Sequence, residues 1–552
     1  MRVQPEHRRE RLRALCFGLL IVVTALLAHG GCLRAIFYLD DWGQILDSDF
    51  IETGKWWEAG TNALTYASYG LTWWIAGYSA RAFHVGNLLL HIVVALCVYR
   101  FGHVFWPEAF QKKGNAFRNL AGLGALIFAV HPLTSEITHY VRARDHELVG
   151  LFSFLAAVCA ALWIRRGWRW FPPLAISTLA AAFSKGPGIW HAILSVAITL
   201  ACVSTAADWR ARFPNRWWIY GSILAAESVL WVFRQQVAAL ALLPFRQLGD
   251  WRFGWHLLTQ SRVLWQYVWR MIVPVRLCSD HLIAWTRSIS DLSAWLGAVG
   301  LVLWLALTVW LWWRGHRFES LLSAMILAPL LLRFGYVVSE LMVEYRTYPA
   351  LPWVGLLFAR ILLGFQPRFP RMVTAAALTI VVFFTTLTNL RSRVWRSSGT
   401  LFANILEQYP LQLRAYNGMS DDDLRQGRYQ AVVGGSQEFF ERLEQVFTKN
   451  RGGVRYYDHW PLCVVSEGCN ITEALLETRG AAAAREYLTG TAARMRTNRI
   501  ENEDLWGLWH LTMGKVELRA GNALEAERHL LLARPWFSRR ALAKAGTKFQ
   551  IN

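Results

Sequence analysis

The sequence predicts an all-α, polytopic membrane protein that ends in a helical domain. Three observations carry this. Hydrophobic residues make up 54% of the 552-residue chain and charged residues only 17%, a balance that excludes an ordinary soluble domain. Apolar runs of about 16–20 residues, the length a helix needs to cross a bilayer, recur as far as residue 390. Beyond that point the composition becomes ordinary, and small residues recur at the spacing of paired helices. A formal net charge of +20 would suit nucleic acid, but the basic residues lie in short loops between apolar runs, so no nucleic-acid partner is expected. Most of the basic residues are Arg, which suggests a GC-rich, bacterial genome.

The first element, "MRVQPEHRRERLRALCFGLLIVVTALLAHG", has the look of a signal peptide but lacks a small-residue cleavage site. An uncleaved first span is expected, with Arg8 to Arg13 in the cytoplasm. Further runs fall at 83–99, 119–133, 147–164, 172–184, 189–204, 217–233, 294–313, 319–335, 349–364 and 372–389, for a total of about eleven spans. With the N-terminus inside, the inside loops are "YRFGHVFWPEAFQKKGNAFRN", "RRGWRW", "DWRARFPNRWW", "RGHR" and "QPRFPR". All are short and basic, as orientation by loop charge requires. The first outside loop, 30–82, instead carries Asp40, Asp41, Asp47, Asp49, Glu52 and Glu58.

An odd number of spans puts everything after residue 390 outside, in the periplasm of a bacterial inner membrane. The stretch 234–293 is too polar for simple spans. Within it "LLTQSRVLWQYVWRMIVPVRL" is amphipathic and reads as a helix lying at or re-entering the outer interface. The domains expected are therefore 1–390 in the membrane and 391–552 outside it. In the latter, Gly514, Gly521, Ala526 and Ala533 have the spacing of a tetratricopeptide helix pair, and Gly427 with Tyr429 gives a weaker second match. Cys16, Cys32, Cys97, Cys159, Cys202 and Cys278 lie in or beside apolar runs and read as small hydrophobes. Cys463 and Cys469 are either a disulfide, which needs an oxidising compartment, or two separate thiols. No second Cys/His pair lies near enough for a zinc site.

Several polar motifs interrupt this pattern. An acidic pair, Asp40–Asp41, follows the first span. "FHVGNLLLH" sets His84, Asn87 and His91 on one helical face, where hydrogen bonding between helices is the expected use. "FAVHPLTSEITHYVRARDHELVGLF", "SKGPG", "PVRLCSDH" and "VEYRTYPALP" follow in that order. The ordered set, covering about 35–420, resembles the multispan GT-C glycosyltransferases. In particular it is similar to the protein O-mannosyltransferases whose membrane helices precede tetratricopeptide repeats, and to their bacterial relatives. Two positions depart from that pattern: Gly186 stands where the family often has Glu after Ser-Lys, and Tyr345 stands where it has His between Glu and Arg.

The resemblance implies a GT-C fold and the transfer of one sugar, with inversion, from a polyprenyl-phosphate donor in the outer leaflet. The acceptor is a hydroxyl of an exported protein such as a pilus subunit. Such chemistry needs a carboxylate base near the end of a helix and cations for the leaving phosphate. Asp40 is expected as base, by its match to the first acid of the family's pair, with Asp41 orienting the acceptor or keeping Asp40 ionised. Two adjacent carboxylates repel, so the pKa of one should rise. A solvated loop or a helix N-cap is the other reading of this pair. Arg346 is the first choice for the leaving phosphate, joined by Lys185, Arg270, Arg142 and Arg144. Glu136, Glu344 and Tyr348 are expected around the donor. Asp145 and His146 complete a charged cluster with Arg142 and Arg144, while His131, Asp280 and His281 read as helix-end or turn residues. No metal ligand is assigned, and a divalent metal is left open. The alternatives are transfer to an envelope glycan or lipid, a non-catalytic assembly factor that docks through its repeats, and a transporter, for which the acidic outer loop and outer domain suggest no path.

Overall fold

The computed structural model describes residues 5–105, 115–205, 208–209, 252–335, 337, 340–451 and 460–534. Among these residues every regular element is a helix. Numbered from ten residues upward, the first are α1 (Pro5–His29), α2 (Ala63–Ala76), α3 (Ala80–Phe101), α4 (Asn115–Val130) and α5 (Arg144–Arg166). They are followed by α6 (Phe171–Ser184), α7 (Gly188–Val203), α8 (Arg252–Ile272), α9 (Leu292–Trp313), α10 (Arg317–Leu331), α11 (Leu351–Gly364) and α12 (Pro370–Arg391).

Seven stretches are long and apolar enough to cross a membrane: Ala14–Arg34, Ala80–Phe105, Val141–Arg166, Leu292–Trp313, Arg317–Gly335, Glu344–Gly364 and Pro370–Arg396. The pair Leu120–Val130 and Pro132–His139, bent by 54°, makes an eighth if it is counted as one span. α7 is apolar but shorter, and α6 has 14 residues. Helices thus stand at the expected spans, except that 217–233 lies outside the described residues. The architecture is that of a polytopic membrane protein. Its total of long spans among the described residues is smaller than the eleven expected.

α5 is the central element, buried along most of its length between α3, α6 and α7. α4 packs on α11, and α1 and α12 flank α4. The apolar core runs through Val94, Ala125, Phe128, Phe154, Leu321, Trp353 and Leu356. α9 is exposed along Leu296, Val299, Val302, Leu303 and Trp310, an apolar face suited only to lipid. α8 falls on the stretch expected to be amphipathic. It buries His256, Gln260 and Tyr267 while exposing Trp269 and Ile272.

The segments sort to two ends of the bundle. One gathers Phe105, Arg165, Val203 to Thr205, Trp312 and Arg317 around a cavity of about 880 Å³. Phe105, Arg165 and Arg317 belong to loops expected inside, and the others stand at the adjoining ends of the expected spans. The other end gathers His146, Gly188, Arg333 and Arg346.

The C-terminal part comprises α13 (Ser398–Gln408), α14 (Leu413–Arg425), α15 (Tyr429–Arg451), α16 (Trp460–Thr478), α17 (Ala481–Thr497), α18 (Glu503–Arg519) and α19 (Ala523–Ala533). Successive helices pack on one another. The expected α18–α19 pair forms a hairpin whose turn passes through Gly521 at φ +84, a left-handed conformation that glycine adopts without strain. Ala526 and Ala533 are fully buried in it. α13 joins the membrane half closely, since Leu401, Phe402 and Ile405, with Ala415 of α14, belong to the main core.

The disulfide expectation is corrected here. Cys463 and Cys469 are both buried and are not bonded to each other. They share α16, six residues and about 9 Å of helical rise apart, beyond the span of a disulfide. They also enter different apolar clusters.

Candidate active site

After α1 the chain runs through a short turn, Gly30–Arg34, and then meets Leu39 at φ +47, a conformation costly for a side chain of that kind. Asp40 and Asp41 follow. Asp40 is exposed and Asp41 is fully buried. The Asp41 carboxylate accepts N–H bonds from Tyr38 (3.0 Å) and from Arg142 (2.7 Å). Burial pushes its carboxyl up to about 7, against the pull of these two N–H groups, and the Asp40 charge adds to the rise. One pKa of the pair was expected to rise, and it is that of Asp41. The pair is thus divided into a reachable carboxylate and a latch tying its loop to the start of α5. The same loop is held from the other side. The Tyr38 hydroxyl donates to the Trp395 carbonyl, and the Arg425 guanidinium lies 3.9 Å over the Trp42 ring.

Between α4 and α5 the chain runs irregularly from His131 to Ala143, in short helical turns. Pro132 prevents α4 from continuing. Buried irregular backbone must have its carbonyls satisfied by protein, and the "FHVGNLLLH" face does this. Asn87 Nδ2 donates to the carbonyls of Ile137 (2.8 Å) and Tyr140 (3.2 Å). His84 sits between the carbonyls of Thr138 and Ile36, and His91 Nε2 lies 3.0 Å from the Ala129 carbonyl. The expectation of hydrogen bonding between helices is met.

Two candidates are absorbed by this scaffold. Arg144 donates to Asn87 Oδ1 (2.7 Å), the Phe83 carbonyl (2.7 Å), the Ser68 carbonyl and Thr72 Oγ1 (both 3.1 Å). Its guanidinium is buried in these ties and does not line the cavity described next. Tyr348 is fully buried, with its hydroxyl 3.0 Å from His91 Nδ1 and its ring against Phe128. Its place is in the core.

The expected cations converge elsewhere. Asp145, fully buried, is the hub. Arg142 pairs with it, His146 Nδ1 lies 2.6 Å from it, and Lys185 Nζ lies 2.5 Å from it. Beside them is a cavity of about 260 Å³ into whose lining His146, Lys185, His191, Arg333 and Arg346 all enter. Burial lowers the Lys185 ammonium to about 8, although Asp145 opposes the shift. Lys185 gets there because α6 and α7 close tightly: a Cβ on Gly188 would stand 1.9 Å from the Ala181 carbonyl oxygen, so only glycine fits.

The remaining candidates form a neighbouring network. Glu344 Oε1 accepts from the Cys278 N–H and from His281 Nε2, both at 2.8 Å, with Arg270 Nε 3.6 Å away. Glu136 Oε2 accepts the Tyr345 N–H at 2.9 Å. Arg346 Nη2 pairs with Glu340 Oε2 at 2.9 Å. Lys185 and Arg346 therefore line the cavity, and Arg142 stands one residue behind it through Asp145. Arg270, Glu344 and Glu136 stand in the adjoining network. Sequence reasoning did not find His191 and Arg333. The available signal for Arg333 was an arginine at the outer end of a span, against the loop-charge trend. Among the described residues, no three His, Cys, Asp or Glu side chains converge as a metal-binding set.

No protein-family model matches the chain, and no solved structure does. The chain is similar to a protein O-mannosyl-transferase of Caenorhabditis elegans, with 19% identity over 440 residues. The match covers 72% of this chain and 58% of the relative, so the chain spans less than two thirds of that protein's length.

Proposed function

We propose that this chain is a GT-C-type membrane glycosyltransferase. It moves one sugar from a polyprenyl-phosphate donor to a hydroxyl of an exported protein, with the site and the C-terminal helices outside the cytoplasm. The observation that carries the reading is one connected path. Asp41, next to the exposed Asp40, is bonded to the Arg142 N–H; the Arg142 guanidinium pairs with Asp145; and Asp145 holds Lys185 in the lining of a cationic cavity. This path supports reading the exposed carboxylate as base and the cationic cavity as the place of the phosphate. The similarity to a protein O-mannosyl-transferase and the ordered motifs support the same reaction class.

In this reading the donor phosphate enters the cavity against Lys185 and Arg346, and its isoprenoid lies along the apolar helices. The acceptor hydroxyl gives its proton to the Asp40 carboxylate as its oxygen attacks the anomeric carbon. The bond from that carbon to the phosphate oxygen breaks, and the charge that develops on the leaving phosphate falls to the cationic lining. A single displacement inverts the anomeric centre. Residues 1–390 supply the donor site, and residues 391–552, read as tetratricopeptide-like, present the protein acceptor, of which a pilus subunit is one example. Intact-mass analysis of exported proteins with and without this chain tests the reading. The expected result is loss of one hexose or pentose from a protein. Unchanged protein masses with an altered envelope glycan or lipid would overturn the protein acceptor, and no change in any glycoconjugate would overturn the activity.

A further inference from the structure

Arg346 lines the cavity, but its charge is not held by the membrane half alone. Its Nη2 meets Glu340 Oε2 at 2.9 Å, and its Nη1 donates to the Glu340 carbonyl at 2.9 Å. The other oxygen of the same carboxylate, Oε1, accepts from Arg414 Nη1 at 3.0 Å. Arg414 is on the first turn of α14, in the C-terminal helical part. Its Nε lies 3.7 Å from Asp280 Oδ2, so a second carboxylate is already within reach. All three members of the Arg346–Glu340–Arg414 chain are partly exposed, with side chains 15%, 32% and 29% accessible, so none is locked in the core. At its far end α14 carries Arg425, which covers Trp42 beside Asp41. One helix of the C-terminal part therefore touches both the carboxylate that pairs with Arg346 and the loop that carries Asp40 and Asp41.

We infer that Glu340 is a shared counter-ion through which α14 sets the phosphate affinity of the cavity, with Arg414 as the positioning residue. This rests on the reading of the cavity as a phosphate site. While Arg414 takes part of the Glu340 charge, the Arg346 guanidinium keeps net positive charge for a phosphate. If α14 shifts so that Arg414 turns to Asp280, more of the Glu340 charge falls on Arg346 and the pocket binds an anion less well. A protein docking on the helical part that moves α14 thus changes donor affinity. By linkage, donor phosphate changes the affinity for that protein by the same factor.

The test is binding of undecaprenyl phosphate to the full-length protein in nanodiscs, measured on wild type and variants. Arg414→Gln should weaken binding by roughly fivefold, the low end of coupling between linked sites, although Arg414 is outside the cavity lining. Glu340→Gln should tighten it. In the Glu340→Gln background, Arg414→Gln should have no further effect, and Arg414→Lys alone should retain most of the wild-type affinity. Opposite signs for the two single variants cannot come from general destabilisation. Wild-type binding with losses in both single variants, or with an undiminished Arg414→Gln effect in the double variant, would overturn the relay and leave the phosphate site standing. Absence of binding by the wild type would overturn the phosphate site and the relay with it.

Discussion

Asp40 and Asp41 are neighbours in sequence with opposite surroundings, and their substitutions should separate accordingly. Asp40→Asn keeps the size and removes the carboxylate proposed as base. Transfer should fall by roughly a hundredfold or more, the usual scale of general-base help, with yield and melting temperature unchanged. Asp41→Ala deprives the Tyr38 and Arg142 N–H groups of their acceptor in a buried place. It should cost on the order of 1–3 kcal/mol of stability and show as a lowered melting temperature in detergent. Lys185 gives a pH signature. Burial holds its folded-state pKa near 8, below the ordinary lysine value, so it loses its charge as the pH rises through that range. Binding of a polyprenyl phosphate should weaken above about pH 8, and Lys185→Arg should move that loss to higher pH. An unshifted pH profile in the arginine variant would remove Lys185 from the phosphate site.

At the scale of elements, what could be read in the sequence depended on whether a single helix held the information. The face of His84, Asn87 and His91 lies within α3, and its role in bonding other segments was legible from the spacing. The same was true of the hairpin from α18 to α19. The cationic cavity was only half legible, because Arg333 and His191 join Lys185 and Arg346 from separate helices. Nothing within any one helix marks the meeting. Cys463 and Cys469 misled for the opposite reason: closeness in sequence suggested a bond that a continuous helix forbids.

Two element-scale outcomes follow. Asn87→Leu strands the Ile137 and Tyr140 carbonyls and Arg144 Nε, and should destabilise by roughly 2–4 kcal/mol. It should also lower transfer by displacing the segment that holds Asp41. In the C-terminal part, Glu467 is buried on α16 and accepts from Asn417 and Ser420 of α14 at 2.8 and 2.7 Å, and burial pushes its carboxyl up to about 7. Its folded state therefore binds more protons than its unfolded state between the ordinary glutamate pKa and about 7. Stability from this group is greatest at low pH and is lost as the pH rises through that window. Glu467→Gln should flatten this trend in a melting-temperature series, and an unchanged slope would assign the trend to other groups.

At the scale of the molecule, loop charge predicts that residues after 390 are outside, and reporter fusions at residues 400 and 550 check it. Strong activity of a cytoplasm-only reporter at either point would reverse the orientation. The sorting of segments into two ends was legible, because alternating apolar runs dictate it. Among the described residues α6 and α7 are shorter than a typical crossing, and the α4 segment bends at His131–Pro132.

The burial of Leu401, Phe402, Ile405 and Ala415 in the main core, with Arg414 paired to Glu340 and Arg425 over Trp42, has a practical corollary for protein engineering. A chimera that exchanges the C-terminal helices cannot be joined at the last long apolar span without cutting through these contacts. A junction near residue 390 would replace side chains that are packed into the core of the N-terminal helices. A junction in the turn at Gly427, after α14, leaves these contacts with their original owner and transplants only the outer helices. Libraries of swapped C-terminal helices cut there should yield folded proteins at a much higher rate than libraries cut near residue 390.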